Sequence, residues 1–151
     1  MAGLRPFIGV LVFAACSANN AQNEDRANVA AAADTAMKLA SSLEAEVGAN
    51  DVRLVFHITN TTDRPVVLEF SSGQRYDFAV RNASQAEVWR WSAARSFMQA
   101  LGTETIPPGG SLRYSATWPA IGRVGFFTAV AELKALNHPV TQRTMFEIRQ
   151  R

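Results

Sequence analysis

Cysteine is nearly absent from this sequence: Cys16 is the only one among its 151 residues. No intramolecular disulfide can therefore form, and if the chain works in an oxidising compartment its hydrophobic core alone must hold the fold. The sequence also lacks a large net charge of either sign, since 15 basic and 13 acidic residues leave a formal net charge of +2. The arginines are spread along the chain, which argues against both a nucleic-acid-binding footprint and a polybasic membrane patch.

Motifs for catalysis, metal binding and nucleotide binding are also missing. The two histidines, His57 and His138, have no acidic residue in a recognisable motif around them, whereas a catalytic triad needs a nucleophile, a base and an orienting group. There is no cysteine pair, no H-x-x-x-H and no Asp-rich calcium loop, and "PPGGS" lies between strand-like segments. We therefore expect no enzyme, no metal and no cofactor. An enzyme would be favoured only if either histidine lay in a pocket beside a carboxylate.

The first sixteen residues have the order of a bacterial export signal. An arginine precedes the apolar run Phe7–Ala15, whose nine residues are too few for the about 20 that span a bilayer. The two alanines before Cys16 resemble the lipobox of bacterial lipoproteins, although Phe13 stands where leucine is usual. This resemblance predicts a signal peptide over residues 1–15, lipid attachment at Cys16, and an exported protein anchored to a membrane of the bacterial envelope, on the periplasmic or cell-surface side. The alternative is an ordinary secretory signal that leaves Cys16 as a free thiol.

Residues 16–42 contain a polar stretch, "SANNAQNEDRAN", and then an alanine-rich one, "VAAAADTAMKLASS". The polar half has almost no apolar surface to bury, which predicts disorder. An alanine face also buries little, which predicts at most a frayed helix. Together with the lipidated cysteine, this part is predicted to be a flexible tether, with a mean reach of roughly 25 to 30 Å for about 25 residues.

Residues 43–151 alternate between apolar and polar side chains, with turn signals about every eight to twelve residues. In "DVRLVFHITN", the residues on one face are Val52, Leu54, Phe56 and Ile58. Residues Ala93–Leu101 break the alternation and predict a short helical or irregular crossover whose aromatic plugs one end of the fold, while "IPPGGS" predicts a turn. The pattern predicts one all-β domain, an antiparallel sandwich of about eight or nine strands. The tryptophans are expected to pack in or near its core rather than to form a sugar-stacking platform.

Several stretches, taken in order, resemble the intracellular proteinase inhibitor (BsuPI) family. They are "FHITNTTDRPVVLEF", "FSSGQRYDF", "VWRWS" and "ALGTETIPPG", within a resemblance from Val52 to about Leu133. The resemblance implies an Ig-like sandwich and tight, non-covalent inhibition of a subtilisin-type serine protease. That activity belongs to the cytoplasm, whereas the export signal places this chain outside it. A different target, or another binding task, is therefore expected.

An inhibitor of this kind would bind through an exposed and extended loop. The candidates are Ser71–Arg75, Ala93–Leu101 and Pro119–Arg123, and the first is favoured because it is the most specific part of the resemblance. The candidate partner-binding residues are Ser71, Ser72, Gly73, Gln74 and Arg75. The same stretch also has the composition of a hairpin connection, with Gly73 at a positive φ. Asp77 is expected on the outward face, where it would pair with Arg75 or with an arginine of a neighbouring strand.

The sequence as a whole predicts a lipid-anchored, monomeric sandwich that binds a protein partner, with inhibition of a subtilisin-type serine protease as the candidate activity. The alternative is a structural or assembly lipoprotein that docks onto an envelope protein through an edge strand. Substitutions in the loops should impair an inhibitor, whereas substitutions in an edge strand should impair a docking domain.

Overall fold

The computed structural model describes residues 38–150, which form nine β-strands and one short 3-10 helix. The strands are β1 Leu39–Val47, β2 Asp51–Asn60, β3 Val66–Phe70, β4 Tyr76–Asn82, β5 Glu87–Arg90, β6 Gly102–Ile106, β7 Ser111–Pro119, β8 Gly125–Leu133 and β9 Val140–Ile148. The 3-10 helix, Trp91–Ala94, follows β5 directly and begins the connection to β6. Among the described residues, no helix combines the length and the apolar character that a bilayer crossing requires.

The strands pair antiparallel in three sheets, with the orders β1-β2-β7, β5-β4-β8-β9 and β3-β6. The first two sheets pack face to face: the rings of Phe56 and Phe78 lie 6.5 Å apart, and those of Trp118 and Phe127 lie 5.1 Å apart. The alternating residues of β2 that were predicted to share one face, Val52, Leu54, Phe56 and Ile58, are all fully buried. The predicted all-β sandwich and its strand number are confirmed.

The two sides of the sandwich differ. On one side the edge strands β1 and β9 lie together, and Gln142 Nε2 donates a hydrogen bond to Ser41 Oγ at 2.8 Å. On the other side the edge strands β5 and β7 are separated by a cleft of about 640 Å³. One side of the sandwich is therefore closed, and the other is open.

The small sheet β3-β6 is extended by the chain after β8, where the Leu136 N–H donates to the Glu69 carbonyl at 2.7 Å.

The first strand begins at Leu39, earlier than the predicted domain start at residue 43. Leu39 is 4% exposed and packs into the core, and residues 39–42 pair with residues 57–60 of β2. Alanine and serine have little strand preference of their own, so pairing with β2 extends the strand here against the local propensity. These four residues belong to the sandwich rather than to the tether. The predicted signal peptide, the lipid attachment at Cys16 and the rest of the tether lie outside the described residues.

The connection Ser71–Arg75 is not a hairpin, in contrast to the prediction. The strand before it, β3, pairs with β6, whereas the strand after it, β4, pairs with β5 and β8, so the chain passes here from one sheet to another. Gly73 has no positive φ; in the described part of the chain, the glycines with a positive φ are Gly109, Gly122 and Gly125. Gly109 lies in the predicted "PPGG" turn between β6 and β7, which is confirmed.

Candidate protein-binding surface

Two of the three candidate loops lie side by side. The Gly73 N–H donates a hydrogen bond to the Met98 carbonyl at 2.8 Å. A Cβ atom on Gly73 would lie 3.6 Å from both the backbone nitrogen and the carbonyl oxygen of Met98, so the two main chains are in close contact. We call Ser71–Arg75 and Ala93–Leu101 together the joined loops. The chemistry of either loop must be considered with the other.

Within Ser71–Arg75, several polar groups bond to the loop itself or to the strand residue that follows it. The Gln74 N–H donates to Ser72 Oγ at 3.2 Å, and Gln74 Nε2 donates to the Tyr76 carbonyl at 3.2 Å. Arg75 Nη1 donates to the Ser72 carbonyl at 2.9 Å, and its guanidinium lies 4.3 Å from the centre of the Phe70 ring. Ser71 and Gly73 are exposed, whereas the other three residues are half-buried. This loop therefore has the bonding pattern of a support for its neighbour.

The crossover Ala93–Leu101 is the more exposed of the joined loops. Its residue Arg95 is extended, and its guanidinium lies 4.3 Å from the centre of the Trp91 ring. Phe97 packs against the same tryptophan, with 5.8 Å between the ring centres. The predicted aromatic plug is thus a half-buried contact, and the other apolar residues point to solvent: Met98 is 78% exposed and Leu101 is 85% exposed.

An aromatic stack lies under the crossover. The rings of Trp91 and Tyr76 are stacked at 4.4 Å, and Tyr76 is stacked in turn on Tyr114 of β7, also at 4.4 Å. The Tyr114 hydroxyl donates to Glu104 Oε2 at 3.4 Å. Burial, together with the negative charge of Glu104, raises the pKa of Tyr114 above its ordinary value, so its hydroxyl remains a donor. The stack links the crossover to strands of both large sheets.

Asp77 is the second anchor of the crossover. It lies on the outer face of β4, as predicted, but it is buried there rather than exposed to solvent. It is 3% exposed because the 3-10 helix and Arg90 cover the outer face of β4 at this point. Its carboxylate accepts hydrogen bonds from Ser92 Oγ at 2.7 Å, from the Ser92 N–H at 3.2 Å and from Arg90 Nη1 at 2.8 Å. The partner is therefore an arginine of the neighbouring strand β5 and not Arg75. The hydrogen bonds that Arg90 donates to the carboxylates of Glu87 and Asp77 raise the pKa of Arg90, and the bond that Glu87 accepts from Arg90 lowers the pKa of Glu87.

The third candidate loop, Pro119–Arg123, lies apart from the joined loops. It forms a turn in which the Arg123 N–H donates to the Ala120 carbonyl at 3.0 Å, with Ile121 74% exposed. It borders a cleft of about 580 Å³ that is otherwise lined by residues 47–49 and 147–150. Pro119 is five residues beyond Tyr114 on β7, a distance of about 17 Å in a strand. The two surfaces can be tested separately.

The open cleft between β5 and β7 is lined on one side by Trp89, Trp91 and Arg95 and on the other by residues 115–117. Trp118, in contrast, is 2% exposed and packs edge-on against Phe127 in the core. The three tryptophans therefore do not share one platform. Trp89 and Trp91 are half-buried, as expected for packing residues at the border of a core.

Neither histidine lines the two clefts described above. His57 is half-buried on β2, and His138 has a buried Nδ1 atom without a hydrogen-bond partner. Burial lowers the pKa of His138; the positive charge of Lys38 lowers it further, and Glu69 acts in the opposite direction. Within residues 38–150, no three His, Cys, Asp or Glu side chains are grouped so that they could hold a metal ion.

Sequence reasoning missed the contacts that hold the crossover. Gly102, the first residue of β6, is one of them: a Cβ atom there would lie 2.7 Å from Arg75 Nη2, so the arginine packs directly against this glycine. The glycine at the end of an irregular segment was a local signal for a close approach. The bonds from Ser92 to Asp77 had no such signal, because they join a residue of the 3-10 helix to a residue of β4 that lies 15 positions earlier.

Comparison with known proteins gives a family and a fold. The family model described as BsuPI, intracellular proteinase inhibitor, matches residues 39–138, beginning at the first residue of β1. No curated protein matches the chain. A penta-heme cytochrome c552 from Thermochromatium tepidum is similar in structure, with a TM-score of 0.51 and 11% identity over 78% of this chain and 41% of that one. Red sea bream transglutaminase has a TM-score of 0.50 and 11% identity over 89% of this chain and 20% of its own. The chain thus spans less than half of either protein, and at such identity the likeness concerns the fold alone.

Proposed function

The chain belongs to the BsuPI family of intracellular proteinase inhibitors, and from this we propose that its sandwich binds a serine protease of the subtilisin type and inhibits it through the joined loops. An inhibitor family accords with a protein that acts by binding rather than by catalysis. The family does not specify the protease, and the choice of a subtilisin-type enzyme follows from the sequence resemblance.

The observation that carries the proposal is the hydrogen bond from the Gly73 N–H to the Met98 carbonyl. It fixes the middle of residues 95–101, the exposed part of the crossover that follows the 3-10 helix. The first of these residues, Arg95, is already extended. A segment that is ordered before binding loses little conformational entropy when it enters a protease cleft, and this favours tight non-covalent binding. The aromatic stack and the Asp77 anchor hold the start of the same segment. If a protease cut the main chain of this segment, these contacts would still hold that end in place.

Inhibition is tested by titrating the purified protein against a subtilisin-type protease. We expect residual activity to fall to zero at near-equal concentrations, while the mass of the inhibitor stays intact. Full protease activity, with the added protein either digested or ignored, would contradict the proposal. A Leu136→Ser variant, changed at an exposed residue of the β8–β9 loop, is the control that should inhibit like the unsubstituted protein.

We further propose that the protein is exported and held at the bacterial envelope by a lipid on Cys16, as a monomer. The support is the order of basic residue, apolar run and cysteine at the start of the sequence. The protease would then lie outside the cytoplasm. In cells labelled with a fatty acid, the protein should carry the label and sediment with membranes, and Cys16→Ser should remove both properties. A Cys16→Ser protein that still sediments with membranes would argue against this anchor.

A second candidate function is docking through the edge strand β7, which borders the open cleft. The Ala120 N–H bonds to the Asn50 carbonyl of the β2 side at 2.9 Å. Because N–H groups alternate in direction along a strand, those of Ser115 and Thr117 point away from β2, to the open edge. A partner strand could pair there by β-augmentation. Ser115→Pro removes one outward N–H without breaking a bond to β2, so it should abolish docking but leave inhibition through the joined loops unchanged.

A further inference from the structure

Leu101 and Met98 are the prominent apolar side chains of the joined loops. Leu101, at 85%, is the most exposed large apolar residue in the described part of the chain, and Met98 is 78% exposed. Single exposed apolar residues are common on protein surfaces and need no explanation. Here, however, the two residues lie three positions apart on one segment, and the main chain of that segment is held at both of its ends.

The ends of this segment are fixed by backbone contacts. At Met98 the carbonyl accepts the hydrogen bond from Gly73, and at Gly102 the chain enters β6, where Gly102 pairs with Phe70 of β3. Only residues 99–101 lie between these two anchors. Ordering each backbone residue costs conformational entropy, so a segment with so few residues left to order is already close to the state that a partner would need.

Arg75 supports the segment from behind. Its guanidinium lies against the Cα of Gly102, where a Cβ atom would approach Nη2 to 2.7 Å. The guanidinium itself is held by the Ser72 carbonyl at 2.9 Å and by the face of Phe70 at 4.3 Å. The residue that follows Leu101 thus rests on a fixed side chain, which leaves the leucine projecting outward.

We propose that Leu101 enters the primary specificity pocket of the target protease, that Met98 is a second contact, and that this pocket is apolar. This inference rests on the proposed function and adds to it the contacting residues and the apolar character of the specificity pocket. A hydrophobic pocket accepts leucine, whereas a pocket with an acidic residue at its base selects arginine or lysine. Residues 98–101, "MQAL", contain no basic side chain that would suit an acidic pocket. Interface hot spots cluster near the centre of an interface in fully desolvated pockets, and a leucine seated in a specificity pocket would occupy such a position.

The test uses Leu101→Arg in the purified protein, with inhibition measured against a subtilisin-type protease and against a trypsin-type protease. We expect inhibition of the first to weaken by at least about 30-fold, as for a hot-spot side chain, and inhibition of the second to appear. Met98→Arg should weaken inhibition of the subtilisin-type protease by about tenfold. The matched control is Leu136→Arg, since Leu136 is 61% exposed on another loop, and this variant should inhibit like the unsubstituted protein.

The outcomes separate this inference from the proposed function. If the unsubstituted protein inhibits the subtilisin-type protease and Leu101→Arg inhibits it equally well, the assignment of Leu101 is wrong while the inhibitor remains. If Ile121→Arg, in the Pro119–Arg123 loop, abolishes inhibition instead, that loop is the contact. If the unsubstituted protein inhibits no protease, the proposed function fails and this assignment fails with it. All of these positions are exposed, so the melting temperatures of the variants should match that of the unsubstituted protein.

Discussion

Asn60 is the buried polar residue on which the turns at one end of the sandwich depend. It is 0% exposed, and its Nδ2 donates to the carbonyls of Arg64, Ile106 and Pro107 at 2.7, 3.0 and 3.2 Å. Its Oδ1 accepts from the Thr62 N–H at 3.0 Å. One side chain thereby satisfies backbone groups from two connections, the one after β2 and the one after β6. The sequence showed the first connection as a turn, and Asn60 is also in phase with the buried residues of β2, which was the signal that it faces inward.

Replacement of Asn60 by alanine should reduce the free energy of unfolding by about 3 kcal/mol, because several buried carbonyls would lose their donor. The measurement is urea denaturation followed by tryptophan fluorescence. Asn82→Ala is the matched control: the Asn82 side chain accepts bonds from Ser84 and Ala86 in an exposed turn, and we expect a loss of about 1 kcal/mol there. Equal losses in the two variants would show that Asn60 does not have the role described.

His138 should make the stability fall as the pH drops below about 6.5, the ordinary pKa of histidine. Burial lowers the pKa of its imidazole in the folded protein, whereas in the unfolded chain the pKa is the ordinary value of about 6.5. The unfolded chain therefore binds a proton at a higher pH than the folded protein does. The contribution to stability is complete above about pH 6.5 and is lost as the pH falls through the lower folded-state pKa.

We expect His138→Gln to flatten the fall in unfolding free energy between pH 7 and pH 5. Urea denaturation at a series of pH values measures it. At pH 8 the imidazole is neutral in both states, so the difference between the two proteins there reports packing alone and serves as the reference. If the two pH profiles are parallel, other groups cause the dependence.

At the scale of elements, the position of the crossover depends on the backbone of Gly73. Gly73→Pro removes the N–H that bonds to Met98, so we expect a loss of about 1 kcal/mol in unfolding free energy and faster cleavage of residues 95–101 by a non-target protease. Inhibition of the target should weaken as well, because the segment would have to be ordered on binding. Gly73→Ala keeps the N–H and adds a Cβ at an ordinary contact distance of 3.6 Å, and it is the control that should retain both properties. The described role is refuted if the two variants behave alike.

The β-strands could be predicted from the sequence where the alternation of apolar and polar residues lies within the strand itself. The alternation of β2 correctly identified the four residues that share its core-facing side, because one face of the strand packs against the core. The partners of the elements were not predictable: Gly73 and Met98 are 25 positions apart, and their bond uses main-chain atoms that every residue has. The two segments of the joined loops could therefore be recognised as irregular in the sequence, whereas their contact with each other required the structure. The predicted outward face of Asp77 was correct, but its burial could not be predicted for the same reason, since its cover comes from the 3-10 helix and from Arg90.

At the scale of the whole molecule, the closed side of the sandwich depends on a strand that begins before the sequence pattern indicates. Ser41 of β1 bonds to Gln142 of β9, and Leu39 adds a buried side chain to the core. The residues that follow Leu39, Ala40 to Ser42, are alanine and serine, which a helix, a strand or a linker can accommodate equally well. Only the pairing with β2 decides among these states, and that pairing is tertiary. The domain boundary was thus the part of the fold that the sequence pattern indicated least clearly.

A chain that begins at residue 43 should consequently be less stable than a chain that begins at residue 38. It would lose Leu39, whose burial contributes about 2 kcal/mol, together with the bonds of residues 39–42 to β2 and the contact of Ser41 with β9. We expect a decrease of about 3 kcal/mol or more in urea denaturation, and exposure of the edge of β2 should promote association of the shortened chain. The chain that begins at residue 38 should match the full-length protein, which controls for removal of the preceding residues. Equal stability of the two shortened chains would mean that the first four residues of β1 are not needed, and that the domain begins where the alternation of the sequence begins.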